Sequence, residues 1–182
     1  MTRAQLKSAR LTLRPVVKTD CAAVVAALND LRVARWLSSI PHPYGKTDFD
    51  HFFHHVAVKG KTFAVENMQG FVGICGVESQ LGYWLVPQAW GQGFALEAAR
   101  AVLADRFDAN LGAVATYAFA DNIPSLRILS RLGFVPSLHG VKQGEKQGVK
   151  MCRALGAARA HIEFTLNADQ FRASNPNDAP NP

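Results

Sequence analysis

LGYWLVPQAWGQGFALEA, residues 81–98, decides how this chain is read. Leu81 to Val86 reads as a strand, Pro87 to Gly93 as a glycine-bearing turn, and Phe94 to Phe107 as a long alanine-rich helix. Leu96, Ala99, Leu103 and Phe107 lie along one stripe of that helix. The first-turn N–H groups of a helix have no partner inside it, and the helix dipole favours negative charge there. Gly91 and Gly93 permit a positive φ and carry no Cβ to hold a ligand away. Strand, turn and helix in this order make an anion cradle suited to a phosphate or pyrophosphate. Two common nucleotide loops are excluded. The P-loop ends in GK[ST], which is absent, and the dinucleotide fingerprint needs three glycines inside a parallel βαβ unit.

Working outward, the strand before the turn belongs to an antiparallel meander. Thr62 to Val65, Phe71 to Val77 and Leu81 to Val86 read as three short strands, joined by turns at 67–70 and 78–80. Residues 10–17 alternate Leu11 and Leu13 against Arg10, Thr12 and Arg14, a strand limited by Pro15. Thr19 or Asp20 caps a helix carrying Cys21, Val24, Val25 and Leu28, and Arg32 to Leu37 continues it or starts a second. Thr47 to Asp50 resembles a capping box ahead of a helix that buries Phe49, Phe52, Phe53 and Val56. Beyond the long helix come a strand at Val114–Phe119, a helix at Ser125–Leu132 ended by Gly133, a glycine- and lysine-rich loop at 140–148, and a strand at His161–Asn167. The fold class expected is mixed α+β. The Asn/Pro-rich end has little to bury, so residues 168–182 are expected to be a disordered tail.

Composition is that of one globular domain: 182 residues, 48% hydrophobic and 19% charged. Three widely spaced cysteines, Cys21, Cys75 and Cys152, support neither a disulfide framework nor a four-thiolate metal site. No apolar run reaches the ~20 residues of a membrane span, and the N-terminal residues lack a secretory apolar stretch, so a cytoplasmic location is expected. The net charge of +6 suits an anionic ligand but is too modest to single out nucleic acid. His51 and His55 stand one helical turn apart beside His54, yet HFFHH lacks the glutamate of HExxH, and no metal is expected. His42 and His139 are loop histidines.

QAWGQG, residues 88–93, resembles the [RQ]-x-x-G-x-[GA] signature of the GNAT acetyltransferase superfamily. LGYWLVPQAWGQG, residues 81–93, resembles the branch that includes ribosomal-protein N-terminal acetyltransferases. NIPSLRILSRLGF, residues 122–134, is similar to that branch's second motif. The two motifs stand in the expected order, and the resemblance covers residues 10–167 as one acyl-CoA domain.

The resemblance implies a largely antiparallel sheet of about seven strands with about four helices, splayed between the strands at 81–86 and 114–119. It implies acetyl-CoA as cosubstrate, with the pyrophosphate on Gln88, Gly91, Gln92, Gly93, Phe94 and Ala95. The pantetheine arm would lie along the strand, and a backbone N–H near Leu85 or Val86 would face the thioester oxygen. Asn122 would hold the cofactor arm, and Ser125 would lie near the sulfur as a candidate general acid. Ser125 also reads as a plain helix cap. Many relatives carry Tyr four residues later, where this chain has Leu129, and the branch often carries Glu where this chain has Gln80. Glu78, two residues before, is the candidate base, beside a water chain or a histidine. The acceptor would be a primary amine, on a small molecule or a protein N-terminus, attacking directly in a ternary complex of a monomer or homodimer. Gln80 and Leu129 also motivate a catalytically weak acyl-CoA-binding module.

Overall fold

The computed structural model describes residues 5–137 and 148–175. Five strands form one antiparallel sheet in sequential order: β1 (Leu6–Lys7), β2 (Thr12–Pro15), β3 (Thr62–Asn67), β4 (Gly70–Val77) and β5 (Leu81–Leu85). A second sheet holds β6 (Val114–Phe119), β7 (Val135–Pro136), β8 (Gly148–Cys152) and β9 (Ala157–Leu166), with β9 pairing all three others. The α-helices are α1 (Cys21–Leu28), α2 (Leu31–Ala34), α3 (Lys46–His55), α4 (Phe94–Asp108), α5 (Ile123–Arg131) and α6 (Ala168–Ser174). This is the expected mixed α+β architecture. The strands and helices beyond the expected numbers are short ones, such as two-residue β1 and β7 and four-residue α2. Among the described residues no helix is long and apolar enough to cross a membrane.

The two sheets meet at one point. Gln80 and Ala115 form an isolated parallel bridge, Ala115 N–H donates to the Ser79 carbonyl at 3.1 Å, and Thr116 Oγ1 donates to the Leu81 carbonyl at 2.8 Å. Beyond that point β5 and β6 diverge, so the sheet is splayed like a V between the expected strands. Arg106, 9% exposed, clamps the joined end, donating to the carbonyls of Glu78 and Leu111.

Two apolar clusters fill the two faces. One packs Leu13, Phe63, Leu81 and Leu85 with Leu103, Phe107, Leu129 and Phe164, beneath α4, α5 and α6. The other packs Val24, Leu28, Phe49, Ala64 and Ile74 beneath α1, α2 and α3. Alternation along the strands sends successive side chains to opposite faces. Tyr83 therefore joins the first cluster and Trp84 the second.

Three local expectations change. The α3 cap lies two residues before Thr47: Asp48 at the third helical position accepts from Gly45 N–H at 2.9 Å, a one-way cap, since glycine has no side chain to return the bond, and the helix starts at Lys46. Asp20 accepts from Val17 N–H at 2.9 Å and receives both arms of Arg14, so it anchors the end of β2 instead of capping α1 with its side chain. Residues 168–175, expected to begin the disordered tail, form α6 and its end. Asn167 and Gln170 cap it reciprocally, and Phe171, 3% exposed, packs its ring 5.3 Å from Phe107. α6 presses so closely on Gly133 that a Cβ there would stand 2.5 Å from Ser174 Oγ. The remainder of the expected tail, with most of the 140–148 loop and His139, lies outside the described residues.

Candidate active site

The turn at 87–93 is built to expose its donors. Pro87 to Ala89 make a short 3-10 turn, and Trp90 donates its indole N–H to the Leu85 carbonyl at 2.8 Å, pinning the turn to the end of β5. Gln92 Nε2 donates to the Gln88 carbonyl at 2.9 Å, which closes the loop on itself. Gly91 (φ +74°) and Gly93 (φ +81°) both adopt the left-handed conformation in which a Cβ is strained. The loop is exposed from Trp90 to Gly93. Among the described residues no group accepts from the N–H of Gly91, Gln92 or Gly93. Those of Phe94, Ala95 and Leu96 open α4 and have no partner within its first turn.

Arg10, read only as a strand residue, adds positive charge at this mouth. Its guanidinium carbon lies 4.7 Å from the Phe94 ring centroid, and its Nη2 is 3.4 Å from where a Gly93 Cβ would be. Glu97 holds it there, accepting from Arg10 Nε and backbone N–H, both at 2.8 Å, and from Ser8 Oγ at 2.7 Å. Burial alone would raise the Glu97 carboxyl, but these hydrogen bonds outweigh it and hold the group below the usual carboxylate range. No local periodicity announces this contact, because Arg10 and Glu97 are 87 residues apart.

The slot between β5 and β6 has free edges. Val86 N–H donates to the Val72 carbonyl at 2.9 Å. In an antiparallel ladder bonded and outward-facing residues alternate, so Tyr83 and Leu85 direct their N–H groups away from β4 and toward the slot. Of the two candidates for an oxyanion donor, Val86 is thus already committed and Leu85 is the one that faces the gap. Across the slot, Ala120 N–H donates to the Ala160 carbonyl at 2.9 Å, and the same alternation turns Tyr117 and Phe119 inward from β6.

Ser125 and Asn122 come together at the start of α5, on the α4 side of the V. Asn122 is the cap: its Oδ1 accepts from Ser125 N–H at 3.3 Å. Ser125 therefore lies inside the first turn, and its hydroxyl is not the cap. Instead Ser125 Oγ lies 2.8 Å from Tyr83 Oη, which spans from β5 to α5. Burial pushes the Tyr83 phenol far above its ordinary value, outweighing the opposing effect of the Ser125 bond. Leu129, one turn further along, is wholly buried.

Glu78 does not join this group. Its side chain is 57% exposed and pairs with Lys59 at 3.5 Å, at the closed end of the V. Gln80, two residues on, makes the bridge between the sheets. On the opposite face from α5 a polar set gathers that sequence patterns do not mark. Tyr117 Oη is 2.5 Å from Ser38 Oγ, Lys150 Nζ stands 3.9 Å above the Tyr117 ring, and His161 meets that ring edge-on at 5.6 Å. His161 is 6% exposed, with Nε2 3.4 Å from Glu163 Oε1 and Nδ1 buried without a hydrogen-bond partner among the described residues. His51 and His55 stack at 4.3 Å on α3, and among the described residues no three His, Cys, Asp or Glu side chains form a metal cluster.

The fold is that of several solved acetyltransferases. The ribosomal-protein-S5-alanine acetyltransferase of Vibrio fischeri aligns with a TM-score of 0.73 at 18% identity, over 93% of this chain and 99% of that one. A GNAT-family acetyltransferase of Bacillus anthracis aligns with a TM-score of 0.72 at 18% identity, over 91% and 99%. RimJ of Mycobacterium smegmatis, in complex with CoA-disulfide, aligns with a TM-score of 0.69 at 21% identity, over 92% and 87%. At these identities the likeness establishes the fold. No curated protein matches the chain in sequence. Residues 10–135 do match the acetyltransferase (GNAT) domain model, and the chain belongs to that family of acetyl-CoA-dependent acyltransferases.

Proposed function

We propose that the protein transfers an acetyl group from acetyl-CoA to a primary amine by direct attack in a ternary complex. The observation that carries this reading is the exposed turn at 91–93, its uncommitted N–H groups opening beside a splayed strand. Backbone donors at a helix N-terminus suit a diphosphate. Gln88, Gly91, Gln92, Gly93, Phe94 and Ala95 surround it, with Arg10 adding charge. The pantetheine arm runs along the free edge of β5, as an added strand does, and Asn122 fixes the helix start beside it. Leu85 N–H faces the thioester oxygen, where negative charge develops.

The acceptor reaches the slot from the opposite face, past Tyr117 and Lys150. Its ammonium loses one proton to water, and its nitrogen attacks the thioester carbon. The C–N bond forms and the C–S bond breaks, with the electron pair passing to sulfur. The second nitrogen proton is released as the sulfur gains one, with Ser125 as its donor. Positioning two reactants in one slot supplies most of the acceleration. Glu78 stands outside this scheme, held at the surface by Lys59. The three cysteines are unpaired, which fits a reducing compartment such as the cytoplasm.

The test is thiol release from acetyl-CoA with a panel of small amines and N-terminal peptides, beside calorimetry of CoA binding. Binding with amine-dependent thiol release supports the reading. Tight binding without turnover on any acceptor leaves the weak acyl-CoA-binding module, which buried Leu129 and bridging Gln80 favour. An absence of CoA binding ends both.

A further inference from the structure

The leaving sulfur needs a donor, and a serine hydroxyl alone is a weak one. The arrangement around Ser125 addresses this. Its N–H is spent on Asn122, so the first turn of α5 is fixed, and its hydroxyl oxygen lies 2.8 Å from Tyr83 Oη. Two proton arrangements are available to such a pair. If Ser125 donates to Tyr83, the serine proton points at the phenol and away from the slot. The phenolic proton then has no acceptor among the described residues, and leaving a buried donor unmade is unfavourable. If Tyr83 donates to Ser125, the phenol is satisfied and the serine proton is free to point elsewhere. Burial keeps the phenol protonated, so it remains a donor across the working pH range. The helix itself offers no phenol, because the residue one turn on is Leu129, sealed in the core.

We propose that Tyr83 is a positioning residue that donates to Ser125 Oγ and turns the serine's own proton toward the departing sulfur. The inference rests on the acetyl-transfer reading and deepens it. As the C–S bond breaks, its electron pair becomes a thiolate, which takes the Ser125 hydroxyl proton. The Tyr83 hydrogen bond stabilises the serine oxygen while that proton departs. The proton released by the attacking nitrogen returns to Ser125 Oγ through water, and the enzyme ends in its starting state. Tyr83 itself stays protonated throughout.

The test is a double-mutant cycle on kcat, using Tyr83→Phe, Ser125→Ala and the pair. Tyr83→Phe removes one oxygen and keeps the ring packing, so the variant folds, which a thermal melt checks. Losing one hydrogen bond to the reacting serine lowers kcat up to about tenfold. Calorimetric Kd for CoA stays unchanged, and the double variant is no slower than Ser125→Ala. Both single variants also lose the same part of the solvent deuterium isotope effect on kcat. Multiplying effects in the double variant, or full kcat in Tyr83→Phe while Ser125→Ala is slow, overturns the proposal. So does a Ser125→Ala enzyme of full rate. Amide formation and CoA binding by the unaltered protein report separately on acetyl transfer, so the two readings fail in different measurements.

Discussion

Replacing Gly91 with alanine separates the cradle from the fold. A Cβ at Gly91 meets nothing within 4 Å, so the protein accommodates the methyl sterically. The cost to stability is conformational, about 1–2 kcal/mol for a left-handed non-glycine residue. For a domain of this size that lowers Tm by about 2–8 °C. The cost to binding is separate. The methyl stands on the exposed side of a turn whose N–H groups have no acceptor within the described residues. Holding one phosphate oxygen off one of these donors forfeits a charge-assisted hydrogen bond, about 1.5–3 kcal/mol. That weakens the Kd about 10- to 150-fold. Calorimetry with CoA on the folded variant measures it, and an acetyl thioester of pantetheine without the diphosphate serves as the control. A folded Gly91→Ala protein with unchanged CoA affinity refutes the cradle. An equal loss with the diphosphate-free thioester refutes the assignment of the diphosphate to it.

Three further outcomes follow from the same structure. Phe171→Ala should destabilise the protein by about 3–5 kcal/mol in thermal or urea unfolding, because α6 is held by one buried ring against Phe107. The Glu97 carboxyl is held below its ordinary value of 4.5, so its stabilising contribution is present above that pH and is lost as pH falls through the lower folded value. Glu97→Gln should remove this part of the acid sensitivity in a pH series of melts. Glu78→Gln should leave kcat and its pH profile unchanged, since the side chain lies at the surface on Lys59; a collapse of the basic limb would return Glu78 to the chemistry.

What was legible in the sequence is what is local. The strand, turn and helix of 81–108 are one continuous stretch, and their glycines, prolines and apolar stripe announce strand, turn and helix directly. The second motif places α5 correctly, but it does not say which side chain caps it. The sequence reading starts the helix at Ser125 and gives Ser125 the cap, whereas the backbone starts it at Ile123 and gives the cap to Asn122. α6 was missed because seven residues ending in an Asn/Pro-rich segment carry little hydrophobic periodicity; its order comes from Phe171 meeting Phe107, a contact across the fold. Arg10 and the Arg106 contact to Glu78 were missed for the same reason, their partners being a carboxylate 87 residues away and a carbonyl 28 residues away.

The two faces of the V also differ in what their sequence must specify. On the α4 side the groups proposed to face the cofactor are largely main-chain N–H groups, so small residues and a helix start suffice, and one short signature encodes them. On the opposite face the polar groups are side chains drawn from positions 38, 117, 150, 161 and 163, on the segment after α2 and on β6, β8 and β9. A main-chain cradle tolerates substitution around it, whereas a side-chain set changes character with each replacement. Lys150 is an example: on the proposed acceptor path its ammonium sits over Tyr117 without an ion-pair partner among the described residues. A cation so placed favours an acceptor that brings negative charge near its amine and penalises one that brings a second positive charge. Lys150→Met should therefore narrow the gap in kcat/KM between acidic and basic amine acceptors without altering the Kd for CoA. An unchanged ratio between the two acceptor classes would remove Lys150 from the acceptor path.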